Sequence, residues 1–184
     1  GLISNTDDDN ALTKVLNEIT ISFKYNPQTK HSDIFLNGEN VEKEIRSMEV
    51  SDHVSEVSKI RKVREKNVAL QRQMGKGGGI VMDGRDIGTA VFPDADLKIF
   101  MTARPEVRAE RRYKELVEKG VETSVDEVRK NIEKRDYIDS HREITPLRQA
   151  DDAVVLDNSH LTLEQQHQWL IDEVKKIEKT AHNC

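Results

Sequence analysis

An acid, an arginine and a second acid stand close together in the run Gly79-Ile-Val-Met-Asp-Gly-Arg-Asp-Ile-Gly88. Ile80-Val-Met82 is an apolar run, long enough for a buried strand of a parallel sheet. The run ends in Asp83, so Arg85 and Asp86 would follow at the carboxyl end of a strand, where open α/β sheets bind ligands. Such a set could orient water on Mg²⁺, grip a phosphate and accept a hydrogen bond from a base. A strand that ends in an acidic turn without further function is the alternative.

Three more arginines share one face of a predicted helix. Arg108, Arg111 and Arg112 are spaced at i, i+3 and i+4 after the second core strand. Their guanidinium groups repel one another unless an anion or a carboxylate such as Glu115 compensates them. The spacing fits an anion site, and it fits equally a solvated charged face.

A second charged face follows in the next predicted helix. Arg135, Asp139 and Arg142 are spaced at i, i+4 and i+7, which suits either an ion-pair ladder or a clamp for a sugar and a phosphate. Ser55 and Arg64 lie earlier, on predicted helical stretches, and either would be a surface residue if considered alone.

Apolar strands that alternate with helices predict an α/β fold with a parallel sheet to position these groups. A helix over 10–18 precedes two strands, 19–25 and 33–36, joined as an antiparallel insert with a turn signal at Asn37-Gly38. Residues 41–74 are mostly helical. The glycines of 75–79 follow a helix and precede a strand, the reverse of a phosphate loop, so they indicate a helix stop. The remaining predicted elements are core strands at 80–82, 97–101 and 153–156, and helices that begin at Pro105, after Ser124 and after Thr162, the last packing through Leu170, Val174 and Ile177.

Composition limits the function classes. The chain has 184 residues, 35% of them hydrophobic and 34% charged, which suits one globular, helix-rich domain. A net charge of -5 argues against nucleic-acid binding. The single cysteine, Cys184, excludes a disulfide framework within one chain, and no segment reads as a membrane span, so we expect a cytoplasmic protein. The histidines lack metal-ligand spacing.

In this order, the segments resemble bacterial cytidylate kinase (CMP kinase), a family of P-loop nucleoside monophosphate kinases. The resemblance spans essentially the whole chain. The matching stretches include Gly38-Glu-Asn-Val41, Val63-Arg-Glu65, Asp83-Gly-Arg-Asp-Ile-Gly88, Val91-Phe-Pro-Asp94, Lys98-Ile-Phe100, Arg108, Arg111-Arg112, Glu118-Lys-Gly120, Arg135-Asp136, Asp139, Arg142 and Pro146-Leu147. It implies a P-loop NTPase-like parallel sheet flanked by helices. It also implies a single kinase-like domain over 1–184, with an antiparallel insert of the nucleotide-binding region at 19–50 and lid helices at 103–145.

The resemblance also implies roles for individual residues. Ser55, Arg64 and Asp86 would read cytosine, Arg85 and Arg135 would hold the CMP phosphate, and Asp139 and Arg142 the sugar hydroxyls. Arg108, Arg111 and Arg112 would close on the transferring phosphoryl group, and Asp83 would orient water on Mg²⁺. The stretch from Asp157 through Asn158 and Ser159 to His160 would lie at the adenine side. The implied reaction transfers the ATP γ-phosphoryl group to CMP or dCMP, with Mg²⁺ bound to ATP, in a protein that is a monomer when full length.

One departure from the family bears on activity. The family begins with a strand and a Gly-x-x-x-x-Gly-Lys-Ser/Thr phosphate loop, and no such sequence occurs in these 184 residues. The central strand of the family's sheet would then be absent. The chain begins at Gly1 rather than Met, which favours a piece of a longer protein or a fragment completed by another chain over a non-catalytic relic.

We therefore expect these 184 residues alone to be catalytically inactive, and measurable ATP-dependent CDP formation by them would contradict this. Two functions compete with the kinase: a non-catalytic CMP-binding or helical interaction fragment, and a nucleoside monophosphate kinase of different base specificity.

Overall fold

The computed structural model describes residues 9–181. Gly1 and Cys184, which entered the sequence predictions, lie outside the described residues. The chain forms two compact units that divide between Gln71 and Arg72. The elements in chain order are α1 (Asp9–Glu18), β1 (Ile21–Asn26), β2 (His31–Leu36), β3 (Glu39–Asn40), a 3₁₀ turn (Glu44–Arg46), α2 (Met48–Val57), α3 (Arg61–Met74), a π-helical turn (Ile87–Val91), β4 (Ile99–Thr102), α4 (Pro105–Glu118), α5 (Val125–His141), β5 (Val154–Asp157) and α6 (Leu163–Ala181).

An antiparallel sheet dominates the first unit. β1 pairs with β2 from Ile21 opposite Leu36 to Asn26 opposite His31, and β3 pairs with the far edge of β2. Asn37 and Gly38 both have positive φ, 50° and 87°, as a two-residue hairpin turn between β2 and β3 requires. The predicted antiparallel pairing of the two strands is confirmed, and β3 is an additional strand. The predicted helical stretch 41–74 is also confirmed and consists of the 3₁₀ turn, α2 and α3.

A parallel strand pair and a helix pair form the second unit. β4 and β5 run parallel, with Ile99 opposite Val154 and Thr102 opposite Asp157, as the strand–helix alternation predicts. α4 packs against α5. The buried apolar side chains of this unit are Val91, Ala109, Leu116, Val128, Ile138 and Leu156. The α/β class is confirmed, and within residues 9–181 the parallel sheet has two strands.

The predicted buried strand over 80–82 is wrong. These residues belong to no helix or strand, and Val81 is fully exposed while Ile80 is 43% exposed. A strand needs the N–H and C=O groups of a neighbour, and no other segment within residues 9–181 pairs with this one. The apolar composition of the run does not specify such a partner. The glycines at 75–79 follow α3, as predicted, and lead into this unpaired segment.

Local sequence signals place the helix ends in the second unit. Pro105 occupies the first turn of α4, and Gly120 ends that helix with φ 75°. Thr162 and Gln165 cap α6 reciprocally, with nitrogen–oxygen distances of 2.9 and 3.2 Å. The predicted packing of α6 is wrong at Val174, which is 46% exposed, because the helix turns this part of its apolar stripe to solvent. None of the helices within the described range has the length and apolar character of a membrane span.

Ser124 is the N-cap residue of the predicted capping box of α5, which the structure confirms. Substitution of Ser124 measures how much the box contributes to stability. The Ser124 hydroxyl accepts from the Glu127 amide at 3.2 Å, and the Glu127 carboxylate accepts from the Ser124 amide at 2.9 Å. We expect Ser124→Ala to lower the free energy of unfolding by about 1 kcal/mol, measured by urea denaturation at neutral pH.

The same box makes stability depend on pH. The hydrogen bonds from the Ser124 side chain and backbone lower the pKa of Glu127. A lowered carboxylate pKa contributes stability above the unfolded-state pKa, and the contribution is lost as the pH falls through the folded-state pKa. The difference in the free energy of unfolding between wild type and Ser124→Ala should therefore become smaller in acid. A difference that is constant down to low pH would contradict the hydrogen bonds between Ser124 and the Glu127 carboxylate.

Candidate functional site

The π-helical turn displays Asp86 at its N-terminal end. The Asp86 carbonyl accepts from the amides of Thr89, Ala90 and Val91 at 3.3, 2.8 and 3.3 Å. Its side chain lies in a buried position, with the residue only 7% exposed. π-Helical turns are rare and concentrate at functional sites. The backbone of the whole turn therefore converges on the residue that the sequence predicted to read a base.

Two glycines permit this turn. A Cβ on Gly84 would lie 2.9 Å from Cγ1 of Ile87, and a Cβ on Gly88 would lie 3.3 Å from Cδ of Lys98. Both distances are tighter than ordinary contacts between carbon atoms. Close packing thus favours glycine at both positions, most strongly at Gly84.

Arg142 lies between two carboxylates. Its Nη2 is 3.7 Å from Oδ1 of Asp86 and its Nη1 is 3.5 Å from Oδ1 of Asp139, and all three side chains are less than 10% exposed. Its Nε donates to the carbonyl of Thr145 at 2.9 Å. Thr145 has φ 45°, a left-handed conformation that a β-branched residue rarely adopts. The predicted pairing of Arg142 with Asp139 is present, and the pairing with Asp86 links two segments that are distant in sequence.

Arg85 extends this network towards solvent. Its Nε donates to Oδ2 of Asp139 at 3.2 Å, and its side chain is 45% exposed whereas that of Asp139 is 5% exposed. Asp86, Arg142, Asp139 and Arg85 therefore form one continuous chain of alternating charge. A buried carboxylate at one end and a half-exposed guanidinium at the other could accommodate a polar ring and an anion.

Arg135 adds positive charge beside this chain. Burial lowers the pKa of Arg135 most, and the like charges of Arg85 and Arg112 lower it further, against the opposing effects of Asp139 and Asp136. The group nevertheless stays protonated, because an arginine pKa remains far above neutrality. Three guanidinium groups thus act on one another at this place, which is the electrostatic condition for binding a phosphate.

The three arginines of α4 each have a hydrogen-bonding partner. Arg108 makes a two-point contact with the Asp136 carboxylate, at 2.5 and 3.1 Å, and this bond raises the pKa of Arg108. Arg112 donates to Glu115 at 2.7 Å. Hydrogen bonds from Lys119 first and Arg112 second lower the pKa of Glu115. The sequence had indicated Glu115 as a compensating carboxylate, and for Arg112 it is one.

Arg111 is bound to the loop that follows β5. Its two terminal nitrogens donate to the side-chain and backbone oxygens of Asn158 at 2.9 and 2.7 Å. In the same loop Asp157 accepts from the Ser159 amide and hydroxyl at 2.9 and 2.6 Å, which lowers the pKa of Asp157. His160 is exposed. The predicted adenine-side loop is therefore ordered internally and joined to α4.

The sequence of this chain was compared with those of known proteins. The family model described as Cytidylate kinase matches residues 3–176. The chain belongs to the cytidylate kinase family. The Cytidylate kinase of Parabacteroides distasonis is 61% identical over 88% of this chain and 70% of its own length. Those of Bacteroides thetaiotaomicron and Flavobacterium johnsoniae are 55% and 51% identical, covering 94% and 92% of this chain and 75% and 74% of their own lengths.

The predicted family is confirmed, and with it the enzyme class. Cytidylate kinases are phosphotransferases with a phosphate group as acceptor, and the transferase, kinase and nucleotide-metabolism assignments follow from membership. The P-loop NTPase-like fold is likewise that of the cytidylate kinase family.

Three further predicted site residues of this cytidylate kinase-family chain lie on other segments. Ser55 on α2 is buried and Arg64 on α3 is half-buried, and both belong to the first unit. Asp83 is exposed and follows the unpaired segment, so its predicted place at a strand end is wrong for lack of a strand. Within the described part of the chain, no group of three or more His, Cys, Asp or Glu side chains could hold a metal ion.

Sequence reasoning missed two residues that the structure connects to the site. Asp136 was seen only as part of a matching stretch, yet it holds Arg108 at two points. Arg72 was not singled out, yet it contacts the turn that carries Asp86. The position of Asp136 next to Arg135 was a weak indication of its role. The spacing of residues in the sequence gave no indication for Arg72.

Proposed function

We propose that this chain belongs to an enzyme that transfers the γ-phosphoryl group of ATP to CMP or dCMP, and that residues of its second unit contact the nucleotide that accepts the group. Membership of the cytidylate kinase family supports the reaction. The observation that carries the site is the chain of charges from buried Asp86 through Arg142 and Asp139 to half-exposed Arg85. It provides a hydrogen-bond acceptor for a base and a cation for a phosphate in one connected arrangement.

Base selection follows from the buried carboxylate. Cytosine carries an amino donor where uracil carries a carbonyl acceptor, so Asp86 would accept from CMP and oppose an acceptor in UMP. An unmatched buried carboxylate is costly, and that cost gives selectivity.

The phosphate and the sugar of CMP would contact the residues of the network other than Asp86. Arg85 and Arg135 would hold the CMP phosphate, and the mutual repulsion of these guanidiniums would be relieved by the bound anion. Asp139 would accept from a sugar hydroxyl. Arg142 is 3% exposed, so we assign it chiefly the task of holding both carboxylates.

Phosphoryl transfer needs positioning and charge neutralisation rather than covalent chemistry from the protein. The acceptor phosphate of CMP is itself the nucleophile, so no general base is required. Arg108, Arg111 and Arg112 would leave Asp136, Asn158 and Glu115 to neutralise the transferring group. Mg²⁺ typically keeps several waters and takes one or two carboxylates with substrate phosphates, so exposed Asp83 would suffice to orient it. The bound ion supplies charge neutralisation on the phosphates.

Binding is the sharpest test, since it requires only the residues assigned here. Calorimetric titration of the 184-residue chain with CMP, UMP and AMP should give a clear CMP preference. A non-catalytic interaction fragment predicts no preference among the three nucleotides, and a kinase of different specificity predicts a preference for another base. The exposed, charged helix faces are what an interaction fragment would use, but each arginine of α4 already has an internal partner.

A further inference from the structure

Arg72, in the last turn of α3, binds the far end of the π-helical turn. Its Nε donates to the carbonyl of Val91 at 3.1 Å and its Nη2 donates to the carbonyl of Ala90 at 2.6 Å. Carbonyls at the end of a helical turn have no partner within the turn, and a cation is their favourable neighbour. One side chain thus satisfies two consecutive peptide groups.

The same two residues also bond to the backbone of Asp86. The amides of Ala90 and Val91 donate to the Asp86 carbonyl, while their carbonyls accept from Arg72. Residues 90 and 91 are therefore held on both sides. Removal of Arg72 would release these two carbonyls, while the amides of the same residues remain bonded to the backbone of Asp86.

A second contact fastens the end of α3 to this turn. A Cβ on Gly75, just after α3, would lie 2.6 Å from Cε1 of the Phe92 ring, so backbone and ring are in direct contact. The Phe92 amide in turn donates to the Ile87 carbonyl at 2.7 Å. The turn is thus supported from the α3 side both by a charged side chain and by packing.

We propose that Arg72 is a positioning residue for base selectivity: by holding the carbonyls of Ala90 and Val91, it fixes the buried Asp86 carboxylate that distinguishes cytosine from uracil. This rests on the proposed function, in which Asp86 reads the base. Arg72 itself touches no nucleotide. Arg72 affects the discrimination between CMP and UMP for two reasons. A displaced Asp86 carboxylate would bond less well to the cytosine amino group, and it would also repel the uracil carbonyl less.

The test compares Arg72→Gln and Arg72→Lys with wild type in CMP and UMP titrations. We expect Arg72→Gln to reduce the ratio of CMP to UMP affinity about tenfold, the equivalent of one charge-assisted hydrogen bond. Arg72→Lys keeps the charge but not the two-point geometry, so it should recover part of the ratio. The matched control is Arg129→Gln, which removes the same charge from a surface pair with Asp126 in the same unit and should leave the ratio unchanged.

A purely structural role would weaken CMP and UMP alike, leave the ratio unchanged and so overturn the proposal. Amide hydrogen exchange provides a second readout that does not depend on ligand: the Ala90 and Val91 amides should exchange faster in both variants while those of α4 and α5 stay protected. Uniform acceleration would count against the proposal too. If wild type shows no CMP preference, the proposed function itself fails; if wild type prefers CMP and Arg72→Gln does so equally, only the assignment of Arg72 fails.

Discussion

Asp86→Ala is expected to abolish the preference for CMP over UMP and to weaken CMP binding about 100-fold. The lost group is the carboxylate of a buried residue that is only 7% exposed. Its bond to the cytosine amino group would be charge-assisted and shielded from water, which places it among the stronger hydrogen bonds. Titration calorimetry with both nucleotides measures the loss.

A conservative exchange separates charge from shape. Asp86→Asn keeps the volume but adds a donor, so it should gain UMP affinity as it loses CMP affinity. If CMP preference survives in Asp86→Asn, base reading by this carboxylate is wrong. Asp94→Ala, at an exposed position of the same unit, is the control for loss of an acid. The folded state of each variant should be verified by urea denaturation, because Asp86 also faces Arg142.

Arg142→Met is expected to lower the free energy of unfolding by about 3–5 kcal/mol. The guanidinium is 3% exposed and compensates two carboxylates that are themselves 9% and 5% exposed. Its removal leaves two buried negative charges near each other without their shared cation. The midpoint of urea unfolding reports this change.

A double-mutant cycle attributes that cost to charge rather than to lost packing. Asp139→Asn removes one of the two carboxylate charges, so Arg142→Met should cost clearly less in the Asp139→Asn background than in wild type. Additive effects of the two substitutions would show that the ion pair at 3.5 Å contributes little, and would contradict this account of Arg142.

Elements with local causes were predictable from the sequence. The Ser124 capping box, the turn at Asn37-Gly38 and the stop at Gly120 each depend on a few neighbouring residues, and each is present. The parallel pair of β4 and β5 followed from apolar composition and the intervening helices. The segment 80–82 looked the same in composition, but strand formation also requires a partner, which local composition does not specify.

The site shows the same division. Helical spacing linked Arg142 to Asp139 correctly because both lie at the end of α5. Its second carboxylate, Asp86, comes from a different segment, and the contacts of Arg111 with Asn158 and of Arg108 with Asp136 each join separate elements. Resemblance to the family could identify these residues as members of the site. The pairing among them depends on tertiary packing, which the spacing of one helix cannot reveal.

The left-handed backbone of Thr145 has a consequence for protein engineering. A β-branched residue at φ 45° carries conformational strain, which glycine or asparagine would relieve. Selection for heat resistance should therefore favour replacement of Thr145 early. The carbonyl of Thr145 also accepts from Arg142, and a relaxed loop would hold that guanidinium less firmly. A substitution at Thr145 that raises thermal stability should therefore also weaken the ion pairs of Arg142 with Asp86 and Asp139.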